Sequence, residues 1–529
     1  MKIYKEDIRH YLDANEKYTE CLFRRGYIIT QMQLQSLDKY PYYGNWSSQS
    51  VGAYNIYIHK DQTAFFYTDN GVTVAIIGHA YNPFNMKYNE NEILKDIYNA
   101  YKQDSLFDAV SELTGIHLIC VFDGEKLIAV QDCCGMCSCY FGKINDSVVI
   151  ADYPQMIGDI FGLKHDSFVT KLVSTKCYNI GNRHLPGNIS PYKELKRMGG
   201  NTYLLCEEGH FSIKRFYPTK AHEEFESREE FENGVKKIYD IIHNGIDCCS
   251  KKWERRTISL SGGTDSKTTL ACASGLYDKY TYYSFYSKPS ELVDAKAAKQ
   301  ICEKIGLKHD IYKIPETNQE IEDFDFWKKL MYHNRNYISF LSDAEIRKYV
   351  YLYKLDAYDI ELKSWASEVA RVFFERKYQI NMPKQLTERH CSIFQTRFFM
   401  HPLLLRKSDK IYREFLEEID LKETKYNYEH TDLFYWEVRM GAWGTSVTSS
   451  QNVFHRITMP INNRKLLEIF LSFPHDYRKS DNVHKDVIQY GNRKINDSNI
   501  EVKNLYFHSY RIWMEKLYYY YRTIFYKNK

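Results

Sequence analysis

The chain has 529 residues, of which 44% are hydrophobic and 26% charged, and a formal net charge of +4. That composition belongs to a folded protein too long for a single core, so two or three domains are expected. Charges of both signs are interleaved, which excludes a basic nucleic-acid arm, and no apolar run reaches the length of a membrane span. Residues 1–10 lack the apolar stretch of a signal peptide, so the expectation is a cytoplasmic protein whose 13 cysteines stay reduced.

Residues 1–220 read as an α+β domain of stacked sheets. Strand-like runs fall at 54–58, 63–67, 72–77, 116–122, 127–130 and 147–151, separated by the turn signals Asp69-Asn70-Gly71, Asp123-Gly124 and Asn145-Asp146. Between them residues 91–101 carry apolar side chains at helical spacing. Cys134 and Cys137 have the CxxC spacing of a zinc ligand pair, but no second Cys or His pair follows nearby. Cys133, Cys134, Cys137 and Cys139 are therefore read as buried or half-buried thiols on two short strands, around a Gly135-Met136 turn.

Composition changes at 216–227, which is taken as a linker into a second domain, 221–529. Ser227 and Glu230 form a capping box ahead of an amphipathic helix through Phe231, Val235, Ile238, Ile242 and Ile246. Strands are expected at Thr257, 280–285, 310–314 and 357–362. A helix at 291–305 should be capped by Ser290 and ended by Gly306, and another should run through 349–353. Such alternation predicts an α/β doubly wound parallel sheet with ligands at the carboxyl ends of its strands. From about 385 on the chain reads as mostly helix, with a tyrosine-rich tail at 518–525.

One stretch in this domain carries chemistry. Thr257-Ile-Ser-Leu-Ser-Gly-Gly-Thr-Asp-Ser266 runs from a strand through a glycine turn into a small-residue helix. Gly262 and Gly263 leave backbone N–H groups bare, and the helix start aims its positive end at the same point. Ser261, Thr264 and Ser266 add hydroxyls, and Asp265 can hold a Mg²⁺ that bridges phosphates. This is a cradle for a polyphosphate, without the Gly-Lys-Ser/Thr that closes a Walker loop.

The pattern S-G-G-x-D-S resembles the pyrophosphate loop of the N-type ATP pyrophosphatases. More widely, the chain resembles the asparagine synthetase family, including relatives without glutaminase activity such as β-lactam synthetase and the lasso-peptide cyclases. The likeness extends to Ser284-Phe-Tyr-Ser287 at a strand end that lines the adenine pocket, to the helix from Glu291, and to Met459-Pro-Ile-Asn-Asn-Arg464. It implies ATP and Mg²⁺, with Ser261 to Ser266 on the phosphates and Ser284 and Phe285 at the nucleotide. It also implies Glu368 as the second metal ligand beside Asp265, and Lys485 as the catalytic cation that neutralises charge in both transition states. The family's Ser-Gly-Glu-Gly-Ser-Asp-Glu is replaced by Lys363-Ser-Trp-Ala-Ser-Glu-Val369, so Trp365 falls on the catalytic glutamate and Arg371 is an added cation.

The first domain resembles the class II glutaminase domain of the same enzymes, through residues 71–83, 113–124 and 132–141. Glutamine hydrolysis needs an N-terminal Cys, but Lys2 follows Met1, and Ile77 stands at the oxyanion asparagine. An inactive scaffold domain is therefore expected. The resemblance implies an AMP-forming carbon–nitrogen ligase that adenylates a carboxylate and passes the acyl group to ammonia or an amine. A non-catalytic partner protein and a thiolation or tRNA-modifying enzyme with the same loop are the alternatives. The oligomeric state is open, a homodimer included.

Overall fold

The computed structural model describes residues 8–181, 183–396, 401–496 and 509–525. Residues 1–7 of the segment searched for a signal peptide lie outside them. Among the described residues no helix is long and apolar enough to cross a membrane.

Two six-stranded antiparallel sheets are built from residues 27–215. From edge to edge, the first runs Leu195–Arg197, Tyr140–Ile144, Ser147–Ala151, Tyr27–Thr30, Tyr54–His59 and Trp46–Val51. The second runs His210–Arg215, Thr202–Glu207, Lys126–Gln131, Thr114–Asp123, Val72–Tyr81 and Ala64–Asp69. Alternation decides which face each strand buries: Ile29, Ile56, Phe141 and Ile150 meet Ala75, Ile77, Leu118 and Leu204 between the sheets. The opposite face of the second sheet, with Val74, Ile76, Ile119 and Val121, packs in one continuous core with the helices Glu90–Lys102 and Arg228–Lys252. Ile77, at the expected oxyanion position, is buried in the core between the sheets. The four clustered cysteines are buried in the connection from Gln131 to Tyr140 rather than on strands. Burial pushes the Cys134 and Cys137 thiols far up, which keeps them protonated.

The third sheet is parallel and five-stranded, in the order Asp310–Lys313, Thr281–Tyr286, Arg256–Ser259, Ile360–Leu362 and Arg456–Thr458. Its first strand in the chain lies in the middle, and later strands add outward on either side. The crossovers therefore diverge between Arg256–Ser259 and Ile360–Leu362, which opens a crevice beyond their carboxyl ends. The expected helix at 291–305 spans Pro289–Lys304; Pro289 occupies its first turn, so Lys288 and not Ser290 is the N-cap. The expected strand at 357–362 shortens to Ile360–Leu362, because Asp359 is spent on Arg255.

The Met459–Arg464 turn docks the parallel sheet onto the antiparallel ones. Asn462 Nδ2 donates to the Gly115 carbonyl (2.7 Å) and Asp132 (2.9 Å), and Arg464 donates to Asn201 (3.0 Å) and the Gln131 carbonyl (2.9 Å).

A charged cluster fixes the helix His475–Lys479 that leads to Asp481. His475 bonds Glu429 (2.6 Å) and Glu375 (3.1 Å), and the bond to Glu429 raises it to about 9. Glu429 is held at about 2 against its own burial. With a folded pKa above the unfolded value, His475 contributes stability that is complete below about 6.5 and lost as pH rises through 9. Glu429 contributes stability above its unfolded pKa that is lost as pH falls through about 2. The melting-temperature gap between wild type and His475→Asn should therefore close as pH rises from about 6.5 to 10; a gap that stays constant over that range refutes the assignment.

Candidate active site

The crevice is a cavity of about 570 Å³. Of the residues expected at the nucleotide, Ser261, Asp265, Ser266, Ser284, Phe285 and Glu368 all line it. Gly262, Gly263 and Thr264 form the turn between Ser261 and Asp265, at the start of the helix Thr264–Cys272. Gly263 has an ordinary φ of −75°, and a Cβ there would meet only Ser261 Oγ at 3.3 Å. Glycine at this position keeps side-chain bulk off the loop; backbone strain does not demand it.

The loop is braced internally. Ser261 and Ser266 hydroxyls share a bond of 2.9 Å, and Gly263 N donates to Ser261 Oγ at 3.3 Å. Gly262 N donates to Asp294 Oδ1 at 2.8 Å, so a carboxylate from the neighbouring helix already sits where the loop offers a backbone donor. Burial raises the Asp294 pKa, against the pull of the Gly262 N–H bond. Ser284 donates to the Leu260 carbonyl at 2.7 Å and contacts His309 at 3.0 Å, tying the second strand end to the loop.

The loop after the fourth strand faces it. Ser367 donates to Asp265 Oδ1, and Arg371 Nη1 donates to both Asp265 oxygens at 3.1 and 3.0 Å. Arg371 also grips Asp481 through Nε (2.7 Å) and Nη2 (2.9 Å), and Arg376 holds the same carboxylate (2.6 and 3.0 Å). Burial pushes Asp481 up, but the two arginines outweigh it and hold it below the ordinary range. Arg371 is thus a latch between the glycine loop and Asp481. Its short segment is bounded by Ala366 (φ 78°) and Val372 (φ 49°), both in the left-handed region.

Glu368 accepts from Tyr435 at 2.7 Å. Burial raises its pKa first, and the Asp265 charge adds to the effect; the two expected metal ligands line the same cavity. As placed they do not fit a divalent cation. Both Asp265 oxygens are engaged by Arg371, one of them also by Ser367, and among the described residues no group of three or more His, Cys, Asp or Glu could hold a metal.

Lys485 is not brought to the cavity. It is exposed on the helix Asn482–Asn496, donating to the Ser480 carbonyl (3.1 Å) and to Asn482 (3.4 Å). The inward residue is its neighbour His484, 3.9 Å from Asp265 and pushed down to about 4 by burial and then by Arg371. The cavity's own cations are Lys348, Lys363 and Arg439. Lys348 lies over the Phe285 and Tyr349 rings at 5.0 and 4.7 Å, and burial lowers its pKa. Lys363 donates to Glu361 and, at 3.2 Å, to Ser259, and lies 5.4 Å from the Trp365 ring. Trp365 stands edge-on to Trp443, with ring centres 4.8 Å apart, as an aromatic wall. Nothing local in the sequence marks Lys348, which sits mid-helix; Lys363 was readable only as the residue after a strand.

No known family model matches the chain, and no curated protein sequence matches it. Among solved structures, similarity is found to a glutamine phosphoribosylpyrophosphate amidotransferase from B. subtilis, at 10% identity over 58% of this chain with a TM-score of 0.22. The chain spans 62% of that structure's length. NH3-dependent NAD synthetase from Campylobacter jejuni is similar at 13% identity over 37% of this chain and 79% of its own, with a TM-score of 0.17. NAD+ synthetase from Burkholderia pseudomallei is similar at 12% over 40% and 87%, with a TM-score of 0.17. Likeness at such scores carries no argument, and the site stands on its own geometry.

Proposed function

We propose that the chain is an ATP-dependent carbon–nitrogen ligase. It adenylates a carboxylate with release of pyrophosphate, then passes the acyl group to ammonia or an amine. The observation that carries this reading is that the glycine loop, a helix N-terminus and two lysines open into one cavity with an aromatic wall. The loop N–H groups and the helix start hold the phosphates. The carboxylate oxygen attacks the α-phosphate, and the P–O bond to the pyrophosphate breaks. Lys348 and Lys363 neutralise the charge that develops, the role expected of Lys485. The amine then adds to the acyl carbon, AMP leaves with the C–O bond electrons, and the amine nitrogen gives up one proton to solvent. Trp365 and Trp443 give an apolar surface for the acyl group. In this reading residues 1–220 are a scaffold and residues 221–529 carry the synthetase chemistry.

A second reading is a non-catalytic nucleotide- or anion-binding protein, favoured by the Arg371 latch and by Asp294 on the loop N–H. ATP–pyrophosphate exchange with panels of aliphatic, aromatic and amino-acid carboxylates separates the two. Exchange above background with at least one carboxylate is expected. ATP binding with no exchange supports the second reading, and neither binding nor exchange overturns both.

A further inference from the structure

A second cavity, about 480 Å³, lies at the opposite, N-terminal edge of the parallel sheet. Three arginines converge on it: Arg24, Arg25 and Arg456. Among the described residues that line it, Asp61 is the carboxylate paired with one of these three: it pairs with Arg24 at 2.5 Å, and its backbone carbonyl accepts from Arg456 at 2.6 Å. The other charges there are already matched. Lys60 pairs with Glu20 at 2.8 Å, and Arg255 pairs at the exposed rim with Asp356 (3.1 Å) and Asp359 (2.6 Å). Asp152, in a small adjoining cavity that Arg25 and Arg456 also line, accepts from Tyr27 N, and burial pushes its pKa well above the carboxylate range. Glu90 is held by Lys252 at 2.5 Å.

Positive charge is therefore in excess at a largely buried place. Arg25 donates one Nη1 bond to the Asn452 carbonyl, while its Nε is buried with no hydrogen-bond partner. Its backbone is held at φ 58°, and burial, then Arg24 and Arg456, pull its pKa down to about 9. A guanidinium so placed is costly unless an anion completes it, and its planar fork suits carboxylate or phosphate. Trp253, Tyr353 and Phe454 line the same cavity with apolar ring surface.

We propose that this cavity is a second ligand site, taking a small carboxylate or phosphate carried on an aromatic or apolar body. It is separate from the nucleotide cavity but shares a wall with it, since His455 and Leu352 line both.

Titration calorimetry with benzoate and with phenyl phosphate, on the full chain with and without saturating ATP, tests it. At least one probe should bind with ATP present, and the tighter of the two identifies the anion. Arg25→Gln and Arg456→Gln should each weaken that probe at least about tenfold, with Arg456→Lys losing less. Should the glutamine variants not fold, the wild type still decides. The probe should quench a tryptophan emission that Trp253→Phe removes, and its affinity should fall with added salt. The proposal is overturned if neither probe binds, if ATP displaces the probe, or if folded arginine variants bind it as the wild type does.

Discussion

Asp265→Asn is expected to lower AMP formation at least about 100-fold, the scale on which misplacing one positioning group falls. Its melting temperature should shift little, because Arg371 keeps its second partner Asp481. The carboxylate sits in the first turn of the helix after the glycine loop and pins Ser367 and Arg371 of the facing loop onto it. Removing the charge unlinks two walls of the cavity. Arg371→Gln acts in the opposite sense: it frees Asp265, and Glu368 lines the same cavity. That variant should acquire one Mn²⁺ site, readable by electron paramagnetic resonance without nucleotide, which Arg371→Gln/Asp265→Asn loses again. Wild type should show none at the loop. Turnover preserved in Asp265→Asn would refute the role given to the loop, and a wild-type Mn²⁺ site lost in that variant would refute the latch.

The loop was legible because its information is local. Thr257 through Ser266 state a strand, a glycine turn and a helix start within ten residues, and the fold returns the strand and the helix, while the N–H groups expected to be bare are held by Ser261, Ser266 and Asp294. The position of Lys485 was legible only to within one residue. Helical spacing buries Val483, His484, Val487 and Ile488, which turns His484 inward and Lys485 outward. Arg371 could be read as an extra cation, but its partner Asp481 lies 110 positions away, and only the tertiary fold joins them. Missed strands have the same explanation in reverse. Trp46–Val51 is an edge strand with an outward, polar face, so it lacks the apolar alternation that betrays a half-buried strand. Arg456–Thr458 has only three residues, too few for any pattern.

Glu361→Gln is expected to cost about 3–5 kcal/mol of stability, since it leaves the Lys363 ammonium in a buried site without its charge partner. Glu361 is fully buried and takes bonds from Lys363, Tyr283 (2.8 Å) and His455 (2.9 Å). Burial pushes it up, yet Lys363 and His455 together hold it far below the ordinary range, so it is a carboxylate at every working pH. Two explanations fit such a pair: Lys363 exists to satisfy Glu361, or Glu361 exists to hold Lys363 at the cavity. The double variant Glu361→Gln/Lys363→Met separates them, because removing both charges should restore most of the stability. If Lys363 neutralises phosphate charge, exchange should stay at least about 100-fold down in the refolded double variant, with ATP binding less affected than rate. Chemical denaturation and exchange kinetics on the same preparations read both quantities. Recovery of rate along with stability would make Lys363 a structural partner of Glu361 and leave the developing charge to Lys348.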